Sequence, residues 1–126
     1  MNNIKTEPVK GDILGLNKDG MPNNKLPHYI VYLEVYPSDI SMFIGAMLTH
    51  SNMNGNIPLI KEHFIELDDL GRDYQISFNK SLIVNHPLFK KSDWLNYKIV
   101  GRLSQAGIDF IENSIAPYEL QFHIKI

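Results

Sequence analysis

The stretch that decides the fold is His28-Tyr29-Ile30-Val31-Tyr32-Leu33-Glu34-Val35, a break at Pro37-Ser38-Asp39, and then Ser41-Met42-Phe43-Ile44-Gly45-Ala46-Met47-Leu48-Thr49-His50-Ser51. Both runs are short, apolar and rich in β-branched and aromatic residues, as buried strands are, and the Pro-Ser-Asp break reverses the chain between them. If the two strands pair antiparallel, the start of the first meets the end of the second. His28 would then share one rim of the sheet with Thr49, His50 and Ser51, and that rim is the first place to look for chemistry.

Working outward, Gly11 to Leu16 reads as an earlier short strand, preceded by a polar, loose arm over residues 1–10. Residues 17–27 carry Asp19-Gly20, Met21-Pro22, Asn23-Asn24 and Pro27, a density of turn formers that predicts a long exposed loop. On the other side, Asn54-Gly55 is a hairpin-turn signal, because both residues tolerate positive φ. Further strands are expected at Ile57-Pro58-Leu59, His63 to Leu67, Tyr74 to Phe78, Ser81 to Val84 and Tyr97 to Leu103, with one helical turn at Lys90 to Leu95. Ser104 can cap a helix over Gln105 to Ile115, where Ile108, Ile111 and Ile115 fall on one face. Pro117 is expected to end it, and the alternation of Glu119 to Ile126 predicts a last strand. The expected fold is mainly β with minor α: a small, strongly bent sheet or partly open barrel with a helix packed on it.

The 126 residues fit a single domain, residues 11–126, and 44% hydrophobic composition is enough for one core. There is no cysteine, which removes disulfides, thiolate metal sites and a thiol nucleophile from consideration and suits a reducing compartment. No apolar run approaches the ~18 residues of a membrane span, so the expectation is a soluble, cytoplasmic protein with no membrane partner. A net charge of −2 excludes binding to nucleic acid through bulk positive charge and leaves only a local basic face.

The histidines carry the chemical expectation. An imidazole titrates near neutrality and can take or give a proton, so His28 and His50 are candidates for base and acid, with Thr49 and Ser51 as hydroxyl donors to phosphate oxygens. Lys25 adds a nearby positive charge. No acidic residue stands at triad spacing and no Gly-x-Ser-x-Gly elbow is present. His63, His86 and His123 share no ligand spacing, so neither a metal nor another cofactor is expected. Lys80, Lys90, Lys91 and Lys98, with Trp94 and Tyr97 among them, could form a basic aromatic surface for single-stranded RNA.

Taken in order, Gly11-Asp12-Ile13, Lys25-Leu26-Pro27, Tyr29 to Leu33, Leu48-Thr49-His50-Ser51, Ile57-Pro58-Leu59 and Val100-Gly101-Arg102-Leu103-Ser104 resemble the MazF/PemK-like toxins. The resemblance spans about Gly11 to Ile115 through short motifs. It implies an SH3-like barrel, a homodimer, and a metal-independent endoribonuclease on single-stranded RNA held in check by a protein or RNA antitoxin. It also implies that Thr49 matches the catalytic hydroxyl, that His28 stands where the family carries a basic residue, and that Arg102 helps hold substrate. The alternative is a non-catalytic module that binds protein or nucleic acid on the same small barrel.

Overall fold

The computed structural model describes residues 7–16, 29–53, 55–74, 76–92 and 97–124, with the side chains of residues 16 and 116–124 outside that description. Seven strands follow in chain order: β1 Asp12–Leu16, β2 Tyr29–Val35, β3 Met42–Thr49, β4 Ile57–Pro58, β5 Leu82–Ile83, β6 Leu88–Lys91 and β7 Tyr97–Arg102, before helix α1, Gln105–Ile124. They form one antiparallel sheet in the order β4-β5-β3-β2-β1-β7, with β6 also on β3, and the sheet is not closed. The expected class, mainly β with a C-terminal helix on the sheet, is what the chain adopts.

The register explains the arrangement. Tyr29 pairs with Leu48 and Val35 with Phe43, so β2 and β3 form the antiparallel pair that their apolar runs predict. Leu33 is the extra residue of a bulge in β2, between the Tyr32–Gly45 and Glu34–Ile44 pairs, and a Cβ on Gly45 would come within 2.7 Å of the Val31 carbonyl oxygen. β2 and β3 therefore approach closely at Gly45. β3 pairs with β6 over Met42 to Gly45 and with β5 at Leu48 and Thr49. On the other side of β2, β1 pairs with β7, which ends the sheet.

Both faces bury apolar side chains. One carries Ile13, Val31, Ile44, Ala46, Leu48, Ile83 and Leu103 against Ile111 and Ile115 of the helix. The opposite face gathers Leu14, Ile30, Tyr32 and Phe43, with Leu88 and Tyr97 alongside. Strands covered on two sides read as continuous apolar runs, which is why 29–33 and 43–48 show little alternation.

The helix begins where its capping residue predicts. Ser104 Oγ accepts the Gly107 N–H at 3.1 Å and donates to the Glu62 carbonyl at 2.7 Å, so one hydroxyl caps α1 and ties it to the turn before it.

Several expectations are corrected. His63 to Leu67 is not a strand: Lys61–His63 is a 3-10 turn, and only the isolated bridges Phe64–Leu103 and Leu67–Asp73 follow. The described residues of 74–78 form no ladder either, although Phe78 is buried and Tyr74 and Ile76 half-buried. Their alternation records which side chains turn inward, and that does not require a neighbouring strand. Asn54-Gly55 does mark a turn, with Gly55 at φ +78° and Asn54 outside the described residues, but the strands it joins do not pair, because β5 lies between β4 and β3. Lys90 and Lys91 belong to β6, not to a helical turn; Trp94 lies outside the described residues. Finally, α1 runs through Pro117 to Ile124, so the backbone makes neither the expected stop nor the terminal strand, with residues 125–126 outside the description. Leu120 and Ile124 stand four apart as well as on an alternating pattern, and such a pattern makes a strand only where a sheet edge receives it.

Candidate functional site

The β2–β3 register brings the end of β3 to the same rim as the start of β2. The last described pair is Tyr29–Leu48, and the row continues through Gly15 to Lys98 on β7. His28 and Lys25, both expected at the site, lie outside the described residues. Thr49 is half-buried at the strand end, where its backbone pairs with Leu82; His50 and Ser51 are exposed beyond it.

The two hydroxyls hold the turn after β3. Thr49 Oγ1 accepts the Ser51 N–H at 3.1 Å, and Ser51 Oγ accepts the Met53 N–H at 3.2 Å. The Ser51 carbonyl takes the Asn56 side-chain amide at 3.0 Å. These are the local hydroxyl-to-backbone bonds that Ser and Thr offer at strand ends. Accepting an N–H occupies a lone pair and leaves each O–H as a donor. The rim therefore keeps two hydroxyl donors, with the exposed His50 between them in sequence.

Arg102 is not part of this rim. It pairs with Asp12 at the far end of β1, four residues along the strands and three strands across from Thr49, which is about 13 Å by about 14 Å. Its Nε donates to Asp12 Oδ1 at 2.9 Å and its Nη1 to Asp69 Oδ1 at 2.9 Å. Asp12 is 1% exposed, and its second oxygen accepts the Val9 N–H at 2.9 Å. The bond to Asp12 raises the guanidinium's proton affinity further above its ordinary value, the desolvation of partial burial working against it. Nothing in the spacing of Asp12 and Arg102, 90 residues apart, announces this pair.

Around Arg102 lie two adjoining clefts that sequence reasoning missed. The smaller, about 280 Å³, has Phe64, Tyr74 and Phe78 in its wall with Glu66, Asp73 and Arg102. The larger, about 520 Å³, follows β7 from Lys98 to Arg102, is open to solvent and is bordered by the loop carrying Asp68, Asp69, Arg72 and Asp73. Tyr74, Asp73, Ile76 and Arg102 line both. Burial pushes the Tyr74 phenol above its ordinary range against the pull of the Arg102 charge.

Asp68 has a different task in that loop. Its Oδ1 accepts the Leu70 and Arg72 N–H groups at 2.9 Å each, and Gly71 supplies the positive φ, +79°, that lets the chain close. These bonds, the one from Arg72 first, lower its pKa. Among the described residues, by contrast, no side chain bonds the Asp73 carboxylate.

Of the lysines and aromatics that could form one basic surface, Lys90 and Lys91 stand apart from Lys98, and Trp94 lies outside the described residues. Lys90 and Lys91 pair with Phe43 and Met42 at the opposite end of β3 from Thr49. Lys98, paired with Gly15, is exposed on the rim row and also lines the larger cleft. Lys80, exposed and two residues before the Leu82 that pairs with Thr49, is nearer to that strand end than Lys98. Among the described residues there is no cluster of three or more His, Asp or Glu side chains able to hold a metal, and no helix is long and apolar enough to cross a membrane. Neither a protein-family model nor a curated protein matches the chain.

Proposed function

We propose that the β2–β3 rim acts on single-stranded RNA, as the metal-independent endoribonuclease of a toxin–antitoxin pair. The observation that carries this reading is the Tyr29–Leu48 pairing, which sets the end of β3, with Thr49, His50 and Ser51, beside the start of β2. In the reaction an imidazole takes the proton of a 2′-hydroxyl, the 2′-oxygen attacks phosphorus to form a cyclic phosphate, and the 5′-oxygen leaves with a proton from a second acid. His50 fills one of these roles and His28 the other. Thr49 and Ser51 donate their free O–H groups to the phosphoryl oxygens, and Lys98 draws the strand toward the rim, with Lys25 as a further cation. A protein or RNA inhibitor and a homodimeric state belong to the same proposal.

One observation favours a second reading, a non-catalytic binding module: both hydroxyl oxygens already serve the turn, and Arg102 is engaged by Asp12 and Asp69. A single experiment separates the two. The wild type is expressed beside His28→Ala, His50→Ala, Thr49→Val and Thr49→Ser, and each folded protein is incubated with single-stranded RNA in chelator. Cleavage that falls ~10²–10⁴-fold in the histidine variants, and survives better in Thr49→Ser than in Thr49→Val, supports the nuclease. A folded wild type that leaves the RNA intact transfers the assignment to the binding module.

A further inference from the structure

Apart from Lys98, the rim does not use the residues of the two clefts beside β7, and their lining has a specific chemistry. Phe64, whose ring stacks on Phe78, and Tyr74, both half-buried, line the smaller cleft with aromatic side chains of the kind on which a planar ring can stack. Asp73 brings a carboxylate with two acceptor oxygens and no side-chain partner among the described residues, and Arg102 brings a guanidinium. Arg102 is held by Nε and Nη1 on Asp12 and Asp69, which fixes its plane and leaves further N–H groups as donors. Asp73 and Arg102 line both clefts, yet they do not pair with each other.

An acceptor and a donor fork that share a cleft, apart from one another and beside aromatic walls, match a ring with a donor edge and an acceptor edge. We propose that this cleft binds a guanine base, stacked on the Tyr74 and Phe64 side, with its N1–H and N2–H donating to Asp73 and its O6 and N7 accepting from Arg102. Adenine and cytosine lack the paired N1–H and N2–H donors, and uracil lacks N7, so the same two side chains select against them. Carboxylates beside the cleft do not oppose the neutral base, whereas they would repel a phosphate placed there, so the base enters and its phosphate faces Lys98.

As a guanine within an RNA strand, this subsite deepens and rests on the nuclease reading. Lys98 lies both on the rim row and in the larger cleft, and the rim at Thr49 is three strand spacings, about 14 Å, from β7. A strand of several nucleotides would then reach from the cleft to the rim and set the cleavage position relative to a guanine.

The test titrates the ¹⁵N-labelled full chain with 5′-GMP, AMP, CMP and UMP, and then with short single-stranded RNAs that carry one guanine or none. GMP is expected to shift Tyr74, Ile76, Ile99 and Gly101 resonances selectively. Asp73→Asn, an isosteric change at an exposed position, is expected to weaken GMP about tenfold or more and to leave the fold intact. Tyr74→Leu should weaken all ring binding. Tighter binding of the guanine-containing RNA than of GMP assigns the site to a strand; equal affinity assigns it to the free nucleotide. Equal shifts from all four nucleotides, no shift at the cleft, or GMP binding unchanged in Asp73→Asn overturns the guanine site. Cleavage can persist without GMP binding, and GMP binding can persist without cleavage, so the failure of either proposal is distinguishable from that of the other.

Discussion

Replacing Asp12 with Ala should be among the most damaging single changes in the sheet. The carboxylate is 1% exposed and accepts two bonds of 2.9 Å, from Arg102 Nε and the Val9 N–H. Breaking a buried ion pair by deleting one partner costs about 3–5 kcal/mol, because the other charge is left without compensation. Here the lower end applies: the Arg102 side chain is 28% exposed and keeps Asp69, and Val9, 59% exposed, can give its N–H to water. A loss of about 3 kcal/mol corresponds to a fall in Tm of roughly 10 °C for a chain of this size. Asp12→Asn should cost less, about 1.5–3 kcal/mol, the worth of a hydrogen bond to a charged group. The paired replacement Asp12→Leu with Arg102→Met should recover much of the stability lost in either single variant, since an apolar pair of similar volume has no desolvated charge. Urea unfolding of the wild type, Asp12→Ala, Asp12→Asn, Asp12→Leu, Arg102→Met and the double variant, with m compared throughout, measures each step. A loss below about 1 kcal/mol in Asp12→Ala, at unchanged m, would refute the view that this pair is buried and committed to structure.

Gly107→Ala tests how closely α1 seats on the 3-10 turn, because a Cβ there would overlap the His63 carbonyl oxygen, which also accepts the Ser104 N–H. The helix would have to shift, at a cost of about 1–3 kcal/mol, and a thermal melt that matches wild type would show the contact to be looser. Acid behaviour has a definite sign at two exposed turns. Bonds from Ser41 lower the Asp39 pKa and bonds from Arg72 and Leu70 lower that of Asp68, each below the ordinary 3.8. A folded pKa depressed in this way means that the turns are fully supported above pH ~3.8 and lose that support as pH falls through the folded values. Carboxyl ¹³C titration should place both midpoints below those of Asp in an unfolded peptide, and a midpoint above would contradict the bonding described.

The elements that the sequence made legible share a cause. Runs such as Tyr29 to Leu33 and Phe43 to Leu48 are strands because both of their faces are covered, and the Ser104 cap with Ile108, Ile111 and Ile115 announces the start of α1 because capping and helical spacing are local properties. Where the reading failed, the signal was burial taken for pairing. Tyr74, Ile76 and Phe78 alternate because they wall a cleft and the core edge, while no ladder forms beside them.

For the candidate site the division is similar. The chain order of Tyr29 to Val35 and Met42 to Thr49 implied an antiparallel pair, and that pair by itself places Thr49, His50 and Ser51 on the rim where β2 begins. Arg102, which the resemblance implies helps hold substrate, lies by the β1–β7 register at the other end of the sheet from that rim, on Asp12. Local sequence determined which residues are strands, where the helix starts and which hydroxyls end β3, because those depend on neighbours within a few positions. Only the tertiary structure decided that β5 lies between β3 and β4, that Asp12 and Arg102 meet across 90 residues, and that Asp73, Tyr74 and Arg102 share a cleft. Such contacts follow from long-range strand order, and no spacing along the chain encodes it.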